Sequence, residues 1–218
     1  MAESRGKVYG CLVVLLLLLL AGGGAGWYFV LHNKGLNRDF DAESIARSET
    51  NMWRAYYGGR GAELAFEMVS VLREQMGVSL LTAKAVVEPM ARGAMAFHTQ
   101  REGYGQTVLP LLEESYAALA EAVGEDWDPR KLAEAELAWW VARRTPGEDS
   151  PEQVGAKIAE LYALMYGATN GHIQRAGLLR AQAAALRDAG GKDADWRQVE
   201  SLLLESYTAL LEGVRGNR

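Results

Sequence analysis

The chain contains very little cysteine, proline or histidine, and these absences exclude several kinds of chemistry. Its 218 residues include one cysteine, five prolines and three histidines. Because Cys11 lies in an apolar N-terminal run, the rest of the chain has no disulfide, cysteine-based zinc site or thiol nucleophile. His32, His98 and His172 have no metal-ligand spacing with one another. The sequence also lacks a P-loop, a GxGxxG motif and a Gly-x-Ser-x-Gly elbow. We therefore expect no cofactor and favour a protein that is not an enzyme.

A basic surface is also missing. The formal net charge is −5, from 23 Lys and Arg against 28 Asp and Glu, and no basic block interrupts the chain. This balance argues against a nucleic-acid interface. Apolar residues make up 49% of the sequence and charged residues 23%, which is typical of a globular protein with a core. Scarce proline and abundant Ala, Leu, Glu and Arg favour helices.

The longest uncharged run lies near the N-terminus, between Lys7 and His32. As a helix it would be about 36 Å long, which is enough to cross the hydrocarbon core of a bilayer. A cleaved signal peptide is the alternative, because AGGGAG supplies small residues after the leucines. The run continues through the aromatic residues at 27–29, which suit a membrane interface. We therefore predict that residues 8–31 form an uncleaved, single-pass transmembrane anchor.

The orientation of this anchor depends on the charges that flank it. Arg5 and Lys7 precede the run, and Lys34 and Arg38 follow it, so the basic residues balance. The short N-terminal tail, its amine and the acidic residues that follow the run favour an N-terminus inside the cell. We expect a protein of the bacterial inner membrane with its main domain in the periplasm.

The remaining chain contains an internal repeat. LLEESYAAL at 111–119 returns as LLLESYTAL at 202–210, and the longer segments 111–125 and 202–216 match at nine of 15 positions. Upstream, DAESIARSETNMWRAYY aligns without a gap onto DPRKLAEAELAWWVARR, 87 residues later. We predict a duplication of about 87 residues. The predicted organisation is a tail (1–7), the anchor (8–31), a linker (32–40), repeat 1 (41–127) and repeat 2 (128–218).

Each repeat is predicted to contain four helices, which makes the fold class all-α, with two four-helix halves about a pseudo-two-fold axis. The predicted helices are 41–57, 62–76, 79–98, 106–123, 129–144, 151–166, 170–189 and 196–213. Five of their N-terminal capping residues are expected to be Ser79, Asp128, Ser150, Thr169 and Asp195. Gly77 and Gly167 suit helix C-termini, and Pro89 is expected to kink its helix.

WRAYY at 53–57, the downstream LREQ and the later AWWVARR resemble a set of uncharacterised bacterial helical proteins that carry a membrane anchor. The resemblance covers the predicted soluble region. It implies a helical fold, and it implies no activity and no site.

The first helix of each repeat carries a conspicuous carboxylate. Glu49 and Trp53 lie on one stripe of the first helix, and Glu136 and Trp140 occupy the same positions in the second repeat. One interpretation is structural, with each glutamate bonded to a nearby Tyr hydroxyl, Trp N–H or Arg; Tyr116 and Tyr207 are the expected tyrosines. The other is a facing carboxylate pair that binds a metal or has one raised pKa. The structural interpretation is favoured, because the Glu-x-x-His pairs of a di-metal bundle are absent.

Large aromatic and basic residues follow these carboxylates. Packing of arginine stems on aromatic rings is the first interpretation, and a ligand pocket with an arginine for an anionic group is the second. Either role predicts that Trp53 and Trp140 are buried. The candidate ligand-binding residues are Glu49, Trp53, Tyr57, Glu136, Trp140, Arg143 and Arg144.

Two functions fit these features. The favoured one is a non-enzymatic, membrane-tethered helical module that docks a protein partner, as an accessory subunit of a membrane complex. The alternative is a small-molecule binder with its pocket between the halves. A binder should contain one deep apolar cavity, whereas a docking module should expose an apolar groove or patch.

The anchor prediction has a direct test. Amino-terminal sequencing of the protein from the membrane fraction should find a start at or close to Met1, because the uncharged run is of bilayer length and no cleavage follows it. A mature protein that begins near Gly26 would show that the run is a signal peptide.

Overall fold

The computed structural model describes residues 27, 28 and 30–216, and this part of the chain is helical, with no strand. Its helices are α1 Ala42–Tyr57, α2 Gly61–Met76, α3 Leu80–Thr99, α4 Tyr104–Thr107, α5 Leu109–Val123, α6 Pro129–Ala142, α7 Pro151–Tyr166, α8 Gly171–Gly190 and α9 Trp196–Arg215, with a 3-10 turn at Gly191–Asp193. The all-α prediction is confirmed for the described residues.

Most of the predicted helix ends are confirmed, because short polar side chains satisfy the free amides of the first turn. The side chains that accept these bonds belong to Asp41, Ser79, Asp128, Ser150 and Asp195. The backbone turns left-handed at Gly77 and Gly167, with φ of 70° and 66°. That conformation favours glycine.

Two predicted boundaries are wrong. α8 is capped by Asn170 rather than Thr169, because the Asn170 side chain directly precedes the helix and accepts from the amides of His172 and Ile173. The predicted helix 106–123 is interrupted at Val108, between α4 and α5. Pro110 lies in the first turn of α5, where its missing N–H costs no helical bond. Pro89, in contrast, lies inside a continuous α3.

The helices form a closed cycle of neighbours. Consecutive long helices pack against one another from α1 to α9, and α9 then packs against α1. The two halves of the chain therefore meet twice, where α5 contacts α6 and where α9 contacts α1. Aromatic residues from both halves fill the interior, including the fully buried Tyr162, Tyr166 and Tyr207.

The segment predicted as a linker lies against the helices. Phe40 is buried beside the rings of Tyr166 and Tyr207, with centroid distances of 6.3 and 6.5 Å. The Asn33 side chain accepts a 2.7 Å bond from the Ser79 amide, and the Lys34 amide donates to the Gly77 carbonyl at 2.8 Å. The chain is thus fixed to the turn between α2 and α3 before it enters α1.

The predicted transmembrane anchor lies almost wholly outside the described residues. Only residues 27, 28, 30 and 31 of it are described. Among the helices of the described part, none combines the length and the apolar character that a bilayer crossing requires. The anchor stays a prediction.

α7 and α8 approach each other unusually closely because each has a glycine at the contact. A β-carbon at Gly155 would lie 2.7 Å from the Leu178 Cα, and one at Gly177 would overlap the Gly155 carbonyl oxygen. In the predicted repeat, Ala65 of α2 and Val87 of α3 take these two places. α2 and α3 touch over a much shorter length than α7 and α8 do. The missing glycines explain why the α2–α3 pair is more open.

The glycine contact predicts a strong position dependence. Gly177→Val should lower the free energy of unfolding by about 3 kcal/mol or more, because the new side chain meets backbone that cannot repack. Val87→Ala, at the corresponding place in α3, should cost about 1 kcal/mol at most, since Val87 is half-buried. Urea unfolding of both variants measures the difference. A Gly177→Val protein as stable as the wild type would contradict the close α7–α8 packing.

Candidate functional site

Glu49 of α1 is a buried carboxylate with three donors around it. Its side chain accepts from Trp53 Nε1 at 3.3 Å and from Arg180 Nη2 at 3.0 Å on Oε1, and from the Tyr207 hydroxyl on Oε2. The residue is only 2% exposed. Both oxygens are satisfied, so this Glu49 site is a saturated hydrogen-bonding centre rather than an open one.

Glu136 of α6 has the matching arrangement without a cation. Its Oε1 accepts from Trp140 Nε1 at 2.8 Å, and its Oε2 accepts from the Tyr116 hydroxyl at 2.9 Å. In both sites the tyrosine comes from the other half of the chain. Tyr116 of the first half bonds Glu136, and Tyr207 of the second half bonds Glu49. Each bond therefore ties one half to the other.

The serine that precedes each tyrosine also makes matching contacts. Ser115 Oγ donates to the Val86 carbonyl at 3.0 Å, and Ser206 Oγ donates to the Ala176 carbonyl at 2.8 Å. These bonds set α3 and α8 in corresponding registers, 90 residues apart. In this register Met90 stands at the place of Arg180.

Arg180 makes the two sites electrostatically different. Burial alone would raise the pKa of Glu49, but the Arg180 guanidinium and the bonds from Tyr207 and Trp53 hold it below its ordinary value. The same carboxylate, with burial, raises the pKa of Tyr207 well above the ordinary range. Glu49 is therefore held ionised and Tyr207 protonated. Neither is poised for proton transfer near neutral pH, and the described residues contain no cluster of three or more acidic, His or Cys side chains suited to a metal.

A second charged cluster joins α1, α6 and α8. Asp188 Oδ1 accepts from the Tyr57 hydroxyl and from Arg187 Nε, both at 2.9 Å, and Arg143 Nη2 lies 2.9 Å from Asp188 Oδ2. Burial would raise the pKa of Asp188, yet the two arginines lower it. Burial and the neighbouring Arg187 lower the pKa of Arg143. The Arg187 guanidinium lies 3.7 Å from the centroid of the Trp53 ring.

A cavity of about 20 Å³ lies between this cluster and the Glu49 site. We call it the arginine cavity; its polar lining residues are Glu49, Trp53, Trp139, Arg143, Arg180 and Arg187. Three of these side chains have a buried nitrogen without an acceptor in the protein: Trp139 Nε1, Arg143 Nε and Arg187 Nη2. The cavity is thus rich in hydrogen-bond donors.

The predicted site residues divide between two places. Glu49, Trp53 and Arg143 line the arginine cavity, and Tyr57 contacts it through Asp188. The other three surround the Glu136 site instead. Trp140 bonds Glu136, and Arg144 donates to the Phe97 carbonyl while its guanidinium lies 3.8 Å from the Phe97 ring centroid.

The residues that α8 contributes were not among the predicted site residues. Arg180 and Arg187 are seven residues apart, two helical turns, and therefore lie on one face of α8. That face is otherwise filled by buried Ile173, Ala176 and Ala183. Arginines on an apolar helix face were the available signal.

The predicted burial of Trp53 and Trp140 is wrong in degree. Both are half-buried, while the neighbouring Trp139 is 9% exposed. The reason is that each ring follows its glutamate by one turn and donates to it, which holds the ring at the edge of the interior. Arg187 covers Trp53, and Phe97 lies 5.4 Å from Trp140 between ring centroids.

The open α2–α3 pair exposes large apolar side chains. Phe66 is 68% exposed and Met95 70%, and Leu81 is also exposed. Met68 and Val71 of α2 are half-buried, whereas their repeat partners in α7, Ile158 and Leu161, are buried. We call these five residues of α2 and α3 the α2–α3 face.

No protein-family model, curated protein or solved structure matches this chain. The similarity to bacterial helical proteins stays an expectation from the sequence.

The difference between the two glutamate sites leads to a paired prediction. Glu49→Gln should lower the free energy of unfolding by about 3–5 kcal/mol, because it leaves the Arg180 charge without its partner. Glu136→Gln should cost about 1–2 kcal/mol, since a neutral amide oxygen still accepts one of the two bonds. Urea unfolding at neutral pH measures both values.

Glu49→Gln should also change the response of the protein to acid. A carboxyl group whose pKa is lowered by folding stabilises the protein above its ordinary value of 4.5, and this contribution is lost as the pH falls below that value. The wild type should therefore lose stability below about pH 4.5 more steeply than Glu49→Gln does. Equal slopes for the two proteins would contradict an ionised, paired Glu49.

Proposed function

We propose that the protein is a non-enzymatic, membrane-tethered helical module whose α2–α3 face docks a helix of a membrane-protein partner. The observation that carries this proposal is the exposure of Phe66 and Met95 on two helices that contact each other over only a short length. Exposed apolar groups of this size at an open helix pair are typical of a helix-binding groove. The arginine cavity is far smaller than the roughly 300–1,000 Å³ of small-molecule sites, which weighs against the alternative of an organic-ligand binder.

The proposal includes an internal duplication as the origin of the domain. Its support is the set of contacts that recur at matching positions. Tyr116 bonds Glu136 as Tyr207 bonds Glu49, and Ser115 and Ser206 bond matching carbonyls of α3 and α8. In a duplicated domain, the residue at a position in one half can be compared with the residue at the matching position in the other half. The comparison indicates which side chains the fold itself requires.

This comparison distinguishes two residues of the α2–α3 face, Phe66 and Met95, from the exposed residues at the matching positions of the second half. The repeat partners of Phe66 and Met95 are Ala156 and Ala185, which are also exposed. A small side chain therefore satisfies the fold at these two places. The first half has a phenylalanine and a methionine there, at a cost in solvent-exposed apolar area that a docked partner would remove.

The short contact between α2 and α3 coincides with a valine in place of a glycine. Val87 replaces the contact glycine of α8, and Val87, Ala91 and Met95 are spaced by four residues, so they lie on one face of α3. This stripe continues the line along which α8 packs onto α7. A third helix could lay its apolar side chains along it, in the manner of helix-in-groove recognition.

The position of the face favours a membrane-protein partner. Asn33 and Lys34 fix the chain to the turn between α2 and α3. The predicted anchor, residues 8–31, ends directly before this attachment. A domain held in this way would present α2 and α3 close to the bilayer surface, within reach of a helix that emerges from the same membrane.

Photo-crosslinking of the full-length protein in its native membranes tests this proposal. A photoreactive amino acid placed at Phe66 or Met95 should crosslink to the same partner protein, through peptides from an apolar helix of that partner. The matched controls are Ala156 and Ala185, which are exposed at corresponding places and should not crosslink to it. Phe66→Glu should abolish the Met95 crosslink without changing the melting temperature.

Other outcomes would overturn the proposal. Crosslinks from Phe66 and Met95 into residues 1–26 of the same chain, or into a second copy, would mean that the face is covered by the protein itself. Equal crosslinking at all four positions would mean that the face has no specific occupant.

A further inference from the structure

We propose that the arginine cavity binds one small monovalent anion of halide size, held by the nitrogens of Trp139, Arg143 and Arg187. This site is separate from the α2–α3 face and does not depend on the docking proposal. The three nitrogens belong to α6 and α8, and the cavity also contacts α1 through Glu49 and Trp53.

The donors of the cavity exceed its acceptors. Trp139 Nε1, Arg143 Nε and Arg187 Nη2 are buried and have no acceptor in the protein. The carboxylate of Glu49 is already engaged by Trp53, Arg180 and Tyr207, and that of Asp188 by Tyr57, Arg143 and Arg187. Buried donors of this kind are expensive without a partner, most of all when they belong to charged groups. All three residues line the arginine cavity, so an acceptor bound there would offer these donors a partner.

The charges around the cavity require an anion rather than a neutral acceptor. Three guanidinium groups, of Arg143, Arg180 and Arg187, surround two carboxylates, of Glu49 and Asp188. Within this group one positive charge is in excess, and its buried member is Arg187, which is 4% exposed; the buried Glu136 also acts electrostatically on Arg180. Burial and repulsion from Arg187 lower the pKa of Arg143, which reports the same excess. A single monovalent anion neutralises it.

The size of the cavity limits the anion to one or two atoms. The arginine cavity has a volume of about 20 Å³, whereas a cavity needs roughly 10–15 Å³ to hold one water molecule. An organic acid or a phosphate ester would not fit. Chloride is the simplest ion of the required charge and size.

The fold itself does not require the arginines. In the register set by the serine contacts, Met90 and Phe97 of α3 take the places of Arg180 and Arg187, and Tyr56 of α1 takes that of Arg143. The corresponding location beside Glu136 is thus built mainly from apolar and aromatic side chains, with Arg144 alone stacked on the Phe97 ring. The comparison of the two locations depends on the proposed duplication. The unpartnered donors, the charges and the volume of the arginine cavity are independent of it. Three arginines gathered at only one of two matching locations indicate a ligand at that location.

The test uses the full-length protein in mild detergent, with sodium chloride or bromide compared with sodium gluconate at one ionic strength. At a tenfold excess over Kd, the halide should raise the melting temperature by about 3–5 °C, because it binds only the folded state. Trp139→Phe removes one donor and should reduce this shift by at least half. The matched control is Trp140→Phe in the other half, which should keep the full shift even if its melting temperature is lower.

Crystals grown in bromide supply the second readout. An anomalous peak within bonding distance of Trp139 Nε1, Arg143 Nε and Arg187 Nη2 is expected. Equal melting temperatures in halide and gluconate would overturn the proposal. Electron density in the cavity without an anomalous bromide signal, as from a water molecule, would also overturn it. A halide shift that Trp139→Phe leaves unchanged would overturn this location, because the ion would then bind elsewhere.

Discussion

The fold depends on two buried carboxylates that each accept a tyrosine hydroxyl from the opposite half of the chain. Buried polar groups that lose their hydrogen-bond partners are costly, and the cost is largest for Glu49, which is held ionised by Arg180. Glu49 and Glu136 therefore admit few relative placements of the halves, because Tyr207 and Tyr116 must both reach them. The closed cycle of helices, in which α9 returns to α1, is the arrangement in which both bonds form.

Because both halves form the same tyrosine–glutamate bonds, the places where they differ are departures from a common arrangement. Both glutamates accept from a tyrosine and a tryptophan, but Arg180 of α8 also pairs with Glu49, whereas the basic residue near Glu136 is Arg144, stacked on the Phe97 ring. On the outside, glycines close α7 onto α8, while α2 and α3 diverge and expose Phe66 and Met95. Each half is thus specialised in one property, the second in buried positive charge and the first in exposed apolar surface. The two proposals rest on these opposite departures from a common plan.

Several features were predictable because they depend on local chemistry. The capping side chains, Gly77 and the helical class follow from short-range hydrogen bonding and backbone freedom, which a few consecutive residues determine. The bond between Tyr116 and Glu136 was expected from the repeated phrase and the repeated helix alone. In contrast, the expected cap at Thr169 and the unbroken helix 106–123 were wrong, since two adjacent candidates, or one proline near a helix start, allow more than one local solution.

From the sequence alone the helical class, an internal repeat and two glutamates on matching helical stripes were predictable, and the helical class is confirmed for the described residues. These properties reside in composition, spacing and self-similarity, which need no knowledge of distance. The tertiary structure was needed to show that Arg143, Arg180 and Arg187 pair with Glu49 and Asp188 beside one cavity. Arg180 and Glu49 are 131 positions apart along the chain. These contacts depend on where α8 lies relative to α1, which the packing of all the helices sets together and no local pattern encodes.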